Sequence, residues 1–155
     1  VTAEDIMEIG KLSTLDTICC SRDESVQGAA LLMRKHHVGD LIVVDEPDGE
    51  RIPVGIVTDR DIVVSVIALG LDPLGLQVGD IMTDDLLTAS EHDDVYATIE
   101  RMRLRGIRRV PVLADSGALA GIVSADDLLT FLAEEMEELS RISPYQQQHE
   151  RRARQ

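Results

Sequence analysis

Two short segments hold the residues best placed to do chemistry: Gly55-Ile56-Val57-Thr58-Asp59-Arg60-Asp61 and Gly121-Ile122-Val123-Ser124-Ala125-Asp126-Asp127. In each, an apolar β-branched run ends at a hydroxyl residue, and an Asp follows three positions later. If the run is a strand handing over to a helix, the hydroxyl of Thr58 or Ser124 falls at the N-cap. There it faces an anion such as phosphate together with the unpaired backbone N–H groups of the first turn. A carboxylate one turn further in, Asp61 or Asp127, can accept hydrogen bonds from two vicinal hydroxyls, which is a natural grip on a ribose. The same spacing is also an ordinary capping box, worth about 1 kcal/mol to the helix. Residue types alone leave both readings open, and the motif's occurring twice does not choose between them, because a duplicated cap is duplicated too.

Other chemistries find little support. There is no nucleophile elbow, no Gly-rich phosphate loop ending in Lys-Ser/Thr, no metalloprotease His pair and no Cys beside an evident base, so no catalytic residues are expected. His36 and His37 are adjacent and lack partners at metal-ligand spacing, so no metal site is expected. Cys19 and Cys20 are adjacent too, which suits small apolar fillers of a buried strand better than a disulfide, and points to a reducing, cytoplasmic setting. The first residue is Val and no basic-then-apolar leader follows, so a signal peptide is expected to be either absent or already removed. With 29 Asp+Glu against 15 Lys+Arg the formal net charge is −14, and Tyr96, Phe131 and Tyr145 are the only aromatics. That combination argues against nucleic-acid binding, which needs a basic face and, for single strands, stacking aromatics. The longest apolar run in the strands, Leu41-Ile42-Val43-Val44, is far short of the roughly 20 residues that span a bilayer.

The elements that must position these motifs emerge from an internal repeat. A shift of 69 lays Ile9-Gly10-Lys11-Leu12-Ser13-Thr14 on Val78-Gly79-Asp80-Ile81-Met82-Thr83, Ser25-Val26 on Asp94-Val95, and Val43-Val44 on Val112-Leu113. Asp45 to Val54 is three residues longer than Ala114 to Ala120, so the shift then becomes 66 and the two Gly-initiated motifs coincide. Both stretches are rich in turn formers and read as hairpin loops. Val26, Ala29, Ala30 and Met33 follow helical spacing, as do Val95, Thr98, Ile99 and Met102. Leu41–Val44 and Val54–Val57 flank the first turn as strands, Val110–Leu113 and Leu119–Val123 the second. A closing helix is expected from Asp59 to Leu69, stopped at Gly70, and another from Ala125. The unit is strand, helix, strand, strand, helix. The expected division is residues 1–74 as the first repeat with its N-terminal segment and linker, 75–140 as the second repeat, and 141–155 as a polar, basic, disordered tail. Residues 141–155 contain four Arg and one Glu, and such a composition buries too little to order a chain by itself.

The pattern resembles a tandem pair of CBS domains, named after cystathionine β-synthase and also called a Bateman module. Val78-Gly79-Asp80-Ile81-Met82-Thr83, Ile107-Arg108-Arg109-Val110-Pro111-Val112 and both hydroxyl-x-x-Asp motifs carry the resemblance, which covers about residues 9 to 139. It implies an α/β (α+β) fold of two pseudo-twofold-related β-α-β-β-α repeats, with clefts for adenosine ligands such as AMP, ADP, ATP or S-adenosylmethionine. Carried onto this chain, it implies that Asp61 and Asp127 hold ribose hydroxyls and that Thr58 and Ser124 contact phosphate. It also sets Arg108-Arg109-Val110-Pro111 beside the purine and phosphates of the second repeat. In the first repeat the corresponding segment runs through Gly39 and Asp40; Asp40 repels phosphate, while His37 and Arg60 are candidate donors. The resemblance further implies a homodimer that acts on a separate effector protein, or on an effector domain outside this sequence, with no obligatory cofactor; the scarcity of cations leads one to expect that polyphosphate ligands depend on Arg108 and Arg109 or on Mg2+. The alternative is a ligand-free interaction or dimerisation module in which both motifs are helix caps alone.

Overall fold

The computed structural model describes residues 7–15 and 17–153. The first six residues of the expected first repeat and the last two of the expected tail therefore lie outside the described residues. Residues 1–123 form one compact unit and 124–155 a second.

In the first unit, β1 (Cys19–Ser21), β2 (Asp40–Asp45) and β3 (Ile52–Thr58) make one three-stranded sheet in that order. β1 runs parallel to β2, with Cys20 opposite Val43, and β2 runs antiparallel to β3, with Leu41 opposite Val57. The second sheet is β4 (Ala89–Ser90), β5 (Arg109–Leu113) and β6 (Leu119–Ser124). Its β4 is parallel to β5, and Ala89 faces Val112, the residues that a shift of 69 derives from Cys20 and Val43. Parallel neighbours need a crossover, and a helix supplies each one. These are α1 (Val26–His36) between β1 and β2, and α4 (Val95–Arg105) between β4 and β5.

Capping residues set the ends of both crossover helices. Ser25 Oγ accepts the Gly28 N–H at the start of α1, and an Asp94 carboxylate oxygen accepts the Ala97 N–H at the start of α4. Both helices end on a left-handed residue, His37 in α1 (φ 55°, ψ 41°) and Gly106 in α4 (φ 64°, ψ 31°). Their inner faces bury Val26, Ala29 and Met33 in one case and Val95, Thr98 and Met102 in the other. With Leu41, Val43, Val57, Val110, Val112 and Val123 from the strands, the core is aliphatic, as a chain so poor in aromatics requires. Among the described residues the one polar side chain buried with them is satisfied, since Thr98 Oγ1 donates to the Asp94 carbonyl at 2.9 Å.

The segment preceding each β1-type strand is exchanged between the repeats. The Ile9 and Gly10 N–H groups donate to the carbonyls of Asp93 and Glu91, while those of Val78 and Gly79 donate to Glu24 and Arg22. Further along, Thr14 exchanges two backbone hydrogen bonds with Ile122, and Thr83 does the same with Ile56. Every one of these bonds has its counterpart at the repeat spacing, so the stretch before one repeat pairs with the body of the other.

The closing helix of the first repeat differs from expectation. α2 is regular only over Asp59–Ile62 and continues as a π-helical segment, Val63–Ile67, in which the Ala68 N–H reaches back to the Val63 carbonyl. The run Val63, Val64, Val66, Ile67 is β-branched and has little intrinsic preference for the tighter α turn. A one-turn α3, Val78–Ile81, follows.

The second unit contains α5 (Ala125–Ser140) and α6 (Ile142–Ala153). Here the expected disordered tail is corrected, because Ile142–Ala153 is helical. Composition misled through its charge and polarity: Gln, Glu, Arg and Ala are all strong helix formers, and Pro144 falls in the first turn, where no N–H is needed.

Candidate nucleotide site

Where β3 meets α2, the sequence builds a closed reciprocal cap. Thr58 Oγ1 accepts the Asp61 N–H at 3.1 Å, and Asp61 Oδ2 accepts both the Thr58 N–H and the Thr58 hydroxyl at 2.8 Å. The second motif repeats the arrangement in its own unit: Asp127 Oδ2 accepts the Ser124 N–H at 2.8 Å and the Ser124 hydroxyl at 2.6 Å, and Ser124 Oγ accepts the Asp127 N–H at 3.1 Å. In both motifs one carboxylate oxygen is committed to the cap, and Oδ1 lies outside it. All four residues are half-buried.

A cavity of about 340 Å3 brings Thr58 and Asp61 together with Gly106, Ile107, Arg108 and Arg109, and Asp40 also lines it. The grouping differs from expectation: the arginine segment of the second repeat shares a cavity with the hydroxyl-Asp motif of the first. Pairing across the repeats is invisible to local spacing, whereas each motif's own geometry was local and legible.

A residue that sequence reasoning treated only as a phosphate repellent proves central to this cavity. Asp40 Oδ1 lies 3.0 Å from a guanidinium nitrogen of Arg109, and the Asp40 side chain is only 10% exposed. A shift of 69 makes Asp40 and Arg109 the same position in the two repeats. Equivalent residues of opposite charge thus meet each other, an arrangement that a symmetric pair of identical residues could not achieve without repulsion. Burial pushes the Asp40 carboxyl above its ordinary value, Arg109 pulls it back down, and Asp59 adds a smaller upward push.

Five expected site residues fall elsewhere. Val110 and Pro111 are buried in β5, where the strand packs into the core. His37 is an exposed left-handed cap whose N–H donates to the Met33 carbonyl. Arg60 is exposed on the first turn of α2 and does not line the cavity. Gly39 is structural in its contacts: its carbonyl accepts the Asp59 N–H at 2.9 Å, tying the approach to β2 to the start of α2. Both cysteines are free thiols, and burial pushes Cys20 up to about 11, which suits a packing role. Among the described residues no helix is long and apolar enough to cross a membrane.

The fold agrees with comparison to known proteins. The model of the CBS domain matches residues 3–67 and again 78–134. The chain belongs to the CBS domain family. This CBS pair is 35% identical over 123 residues to an uncharacterised protein of Methanopyrus kandleri, covering 79% of this chain and 61% of that one, so it spans about three fifths of that relative. Its fold superimposes on a CBS domain protein of Pyrobaculum aerophilum complexed with AMP, with TM-score 0.69 and 27% identity over 79% of this chain and 90% of the other. It superimposes equally on the CBS domain pair of protein MJ0100, solved with 5'-methylthioadenosine and S-adenosyl-L-methionine. There the TM-score is 0.69 and the identity 28%, over 84% of this chain and 98% of that one.

Proposed function

We propose that this CBS pair is a non-enzymatic regulatory module that binds an adenosine ligand in the cavity between Thr58-Asp61 and Gly106–Arg109. The observation that carries the reading is the convergence of a carboxylate, a hydroxyl and two arginines on one cavity of about 340 Å3, within the size range of small-molecule sites. Asp61 Oδ1 is the ribose acceptor, and Arg108 and Arg109 face the phosphate. Asp40 neutralises part of that positive charge, so ligands of low net negative charge, AMP or S-adenosylmethionine, fit better than ADP or ATP, which would lean on Mg2+. That structural relatives were solved with AMP and with S-adenosylmethionine supports the same class. The module transmits occupancy through a homodimer to an effector protein. Val63, Val64 and Ile67 on the π-helical continuation of α2 are each more than half exposed and offer an apolar face for a second copy.

The test is calorimetric titration of the full chain with AMP, ADP, ATP and S-adenosylmethionine. A saturable heat that falls at least tenfold in affinity in Asp61→Ala and in Arg108→Ala is expected; no heat with any of the four ligands refutes the reading. A second reading is favoured by the closed cap itself, because Asp61 Oδ2 already accepts two hydrogen bonds from Thr58. On that reading the pair is a ligand-free dimerisation module. Asp61→Ala would then lower the melting temperature, and no nucleotide would raise it, whereas a bound ligand at 100 times its Kd adds about 2.7 kcal/mol.

A further inference from the structure

The turn between β4 and α4 carries an imidazole surrounded by acids. His92 Nδ1 lies 3.1 Å from Glu8 Oε1. On the other edge of the ring, Nε2 faces Glu91 Oε1 at 3.7 Å and Asp115 Oδ1 at 3.6 Å. The ligand atoms of Glu91, His92 and Asp115 all lie within 4.8 Å of one another. We propose that His92 Nε2, Glu91 and Asp115 form a binding site for a divalent cation of the zinc class, with Glu8 orienting the imidazole.

The distances have the form that such a site requires. Two ligand atoms each about 2.0–2.2 Å from one tetrahedral ion stand roughly 3.3–3.6 Å apart. The two Nε2–carboxylate separations are too long for hydrogen bonds and close to that ligand-to-ligand spacing. The Nδ1 edge is engaged separately, by Glu8, so with the proton held there a metal ion can take the place between Nε2 and the other two acids that a second ring proton otherwise fills. A carboxylate holding the far nitrogen of a ligating histidine is the recurrent second layer of zinc sites, where it fixes the tautomer and raises ligand basicity.

The backbone holds these groups in place. The Gly10 N–H donates to the Glu91 carbonyl at 2.9 Å, Ile9 N–H to Asp93 at 2.8 Å, and Val95 N–H to Met7 at 3.0 Å, so Glu8 is fixed beside the turn that carries Glu91 and His92. Asp115 comes from the β5–β6 hairpin.

The first repeat supplies an internal comparison. By the shift of 69, the counterparts of Glu91, His92 and Asp115 are Arg22, Asp23 and Glu46. There the protein provides its own cation: Arg22 makes a two-point contact with Asp45 at 2.9 and 2.6 Å, and Arg51 lies 3.5 Å from Glu46. In the second repeat an acid, Glu91, replaces that arginine. The charged groups that face His92 are then Glu8, Glu91 and Asp115, and all are negative. A bound cation restores at this turn the neutralisation that Arg22 gives its counterpart.

Equilibrium dialysis of the tag-free full chain against zinc chloride at pH 7.5, with metal read by mass spectrometry, tests the proposal. The expected result is one zinc per chain, with affinity reduced more than tenfold in His92→Gln and in Asp115→Asn, and unchanged in the Cys19→Ser/Cys20→Ser double variant. Affinity should fall about tenfold per pH unit below the imidazole pKa, because the metal competes with a proton for Nε2. Glu8→Gln should weaken binding by roughly tenfold, the scale on which second-layer partners act, and long-range nitrogen NMR should show its ring losing preference for the Nδ1–H form. His92 is exposed, so its variant keeps the wild-type fold, checked by circular dichroism. Failure of the wild type to retain zinc, or equal retention by His92→Gln, overturns the assignment.

Discussion

Replacing His37 by Gly should stabilise the protein. His37 ends α1 in the left-handed region (φ 55°, ψ 41°), where a side chain crowds the carbonyl that follows. That conformation costs an L-residue about 1–2 kcal/mol. Glycine adopts it without strain but loses roughly 0.5–1 kcal/mol more backbone entropy on folding. The net expected gain is about 1 kcal/mol, which for a chain of this length is a rise in melting temperature of about 2–4 °C. The second repeat provides the reverse experiment, since α4 already ends on Gly106 (φ 64°, ψ 31°). A Cβ added at Gly106 would meet nothing within 4 Å, so Gly106→Ala isolates the conformational strain and should lower the melting temperature by a similar amount. Scanning calorimetry of the two variants is the assay. The reasoning fails if His37→Gly melts at or below the wild type, or if Gly106→Ala costs nothing. The same variant also probes function: His37 is exposed and outside the cavity, so AMP affinity should be unchanged, and a clear loss would reinstate its imidazole as a ligand contact.

Gly55→Ala and Gly121→Ala should each destabilise by about 1–3 kcal/mol, the usual range for overpacking. A Cβ at Gly55 would stand 2.8 Å from the Thr83 carbonyl oxygen, and one at Gly121 2.9 Å from that of Thr14. Urea unfolding should give similar losses for the two, and a tolerated substitution at either would refute the close approach. Asp40→Asn bears on the cavity and on pH. Because burial raises the folded pKa of Asp40 above the unfolded value, its ionised form costs stability at neutral pH, and that cost fades as pH falls through the folded value. The variant should therefore melt above wild type at pH 7 and converge with it towards 3.8, the ordinary value of the carboxyl. A difference that grows on acidification would reverse the sign of the argument.

Local spacing made most of the fold legible. Helix and strand periods, the hairpin loops and both caps depend on neighbours within a few residues, and the repeat displayed each of them twice. What escaped detection was contact between positions far apart in the chain. Nothing in the environment of Asp40 in the sequence points to Arg109, and the cavity that joins Thr58 and Asp61 to the arginine segment depends on that meeting. His92 was similarly hidden, because Glu8, Glu91 and Asp115 come from three separate segments. Ile142–Ala153 was missed for another reason: net charge and lack of apolar residues were weighed above intrinsic helix preference. The Val63–Ile67 stretch read as plain helix because a π turn leaves almost the same apolar spacing as an α turn over so few residues.

The exchanged segments also determine how the chain can be divided. A cut in the linker Gly70–Gly75 would give two fragments, each carrying the piece that the other lacks: residues 8–14 leave with the wrong half, and so do residues 77–83. Neither fragment could satisfy the backbone groups of Glu91 and Asp93, or of Arg22 and Glu24, from its own sequence. Mixed together, they would reassemble by mutual complementation. Kept apart, each would find its missing segment only in another copy of its partner, so the covalent linker holds together an interlocked pair.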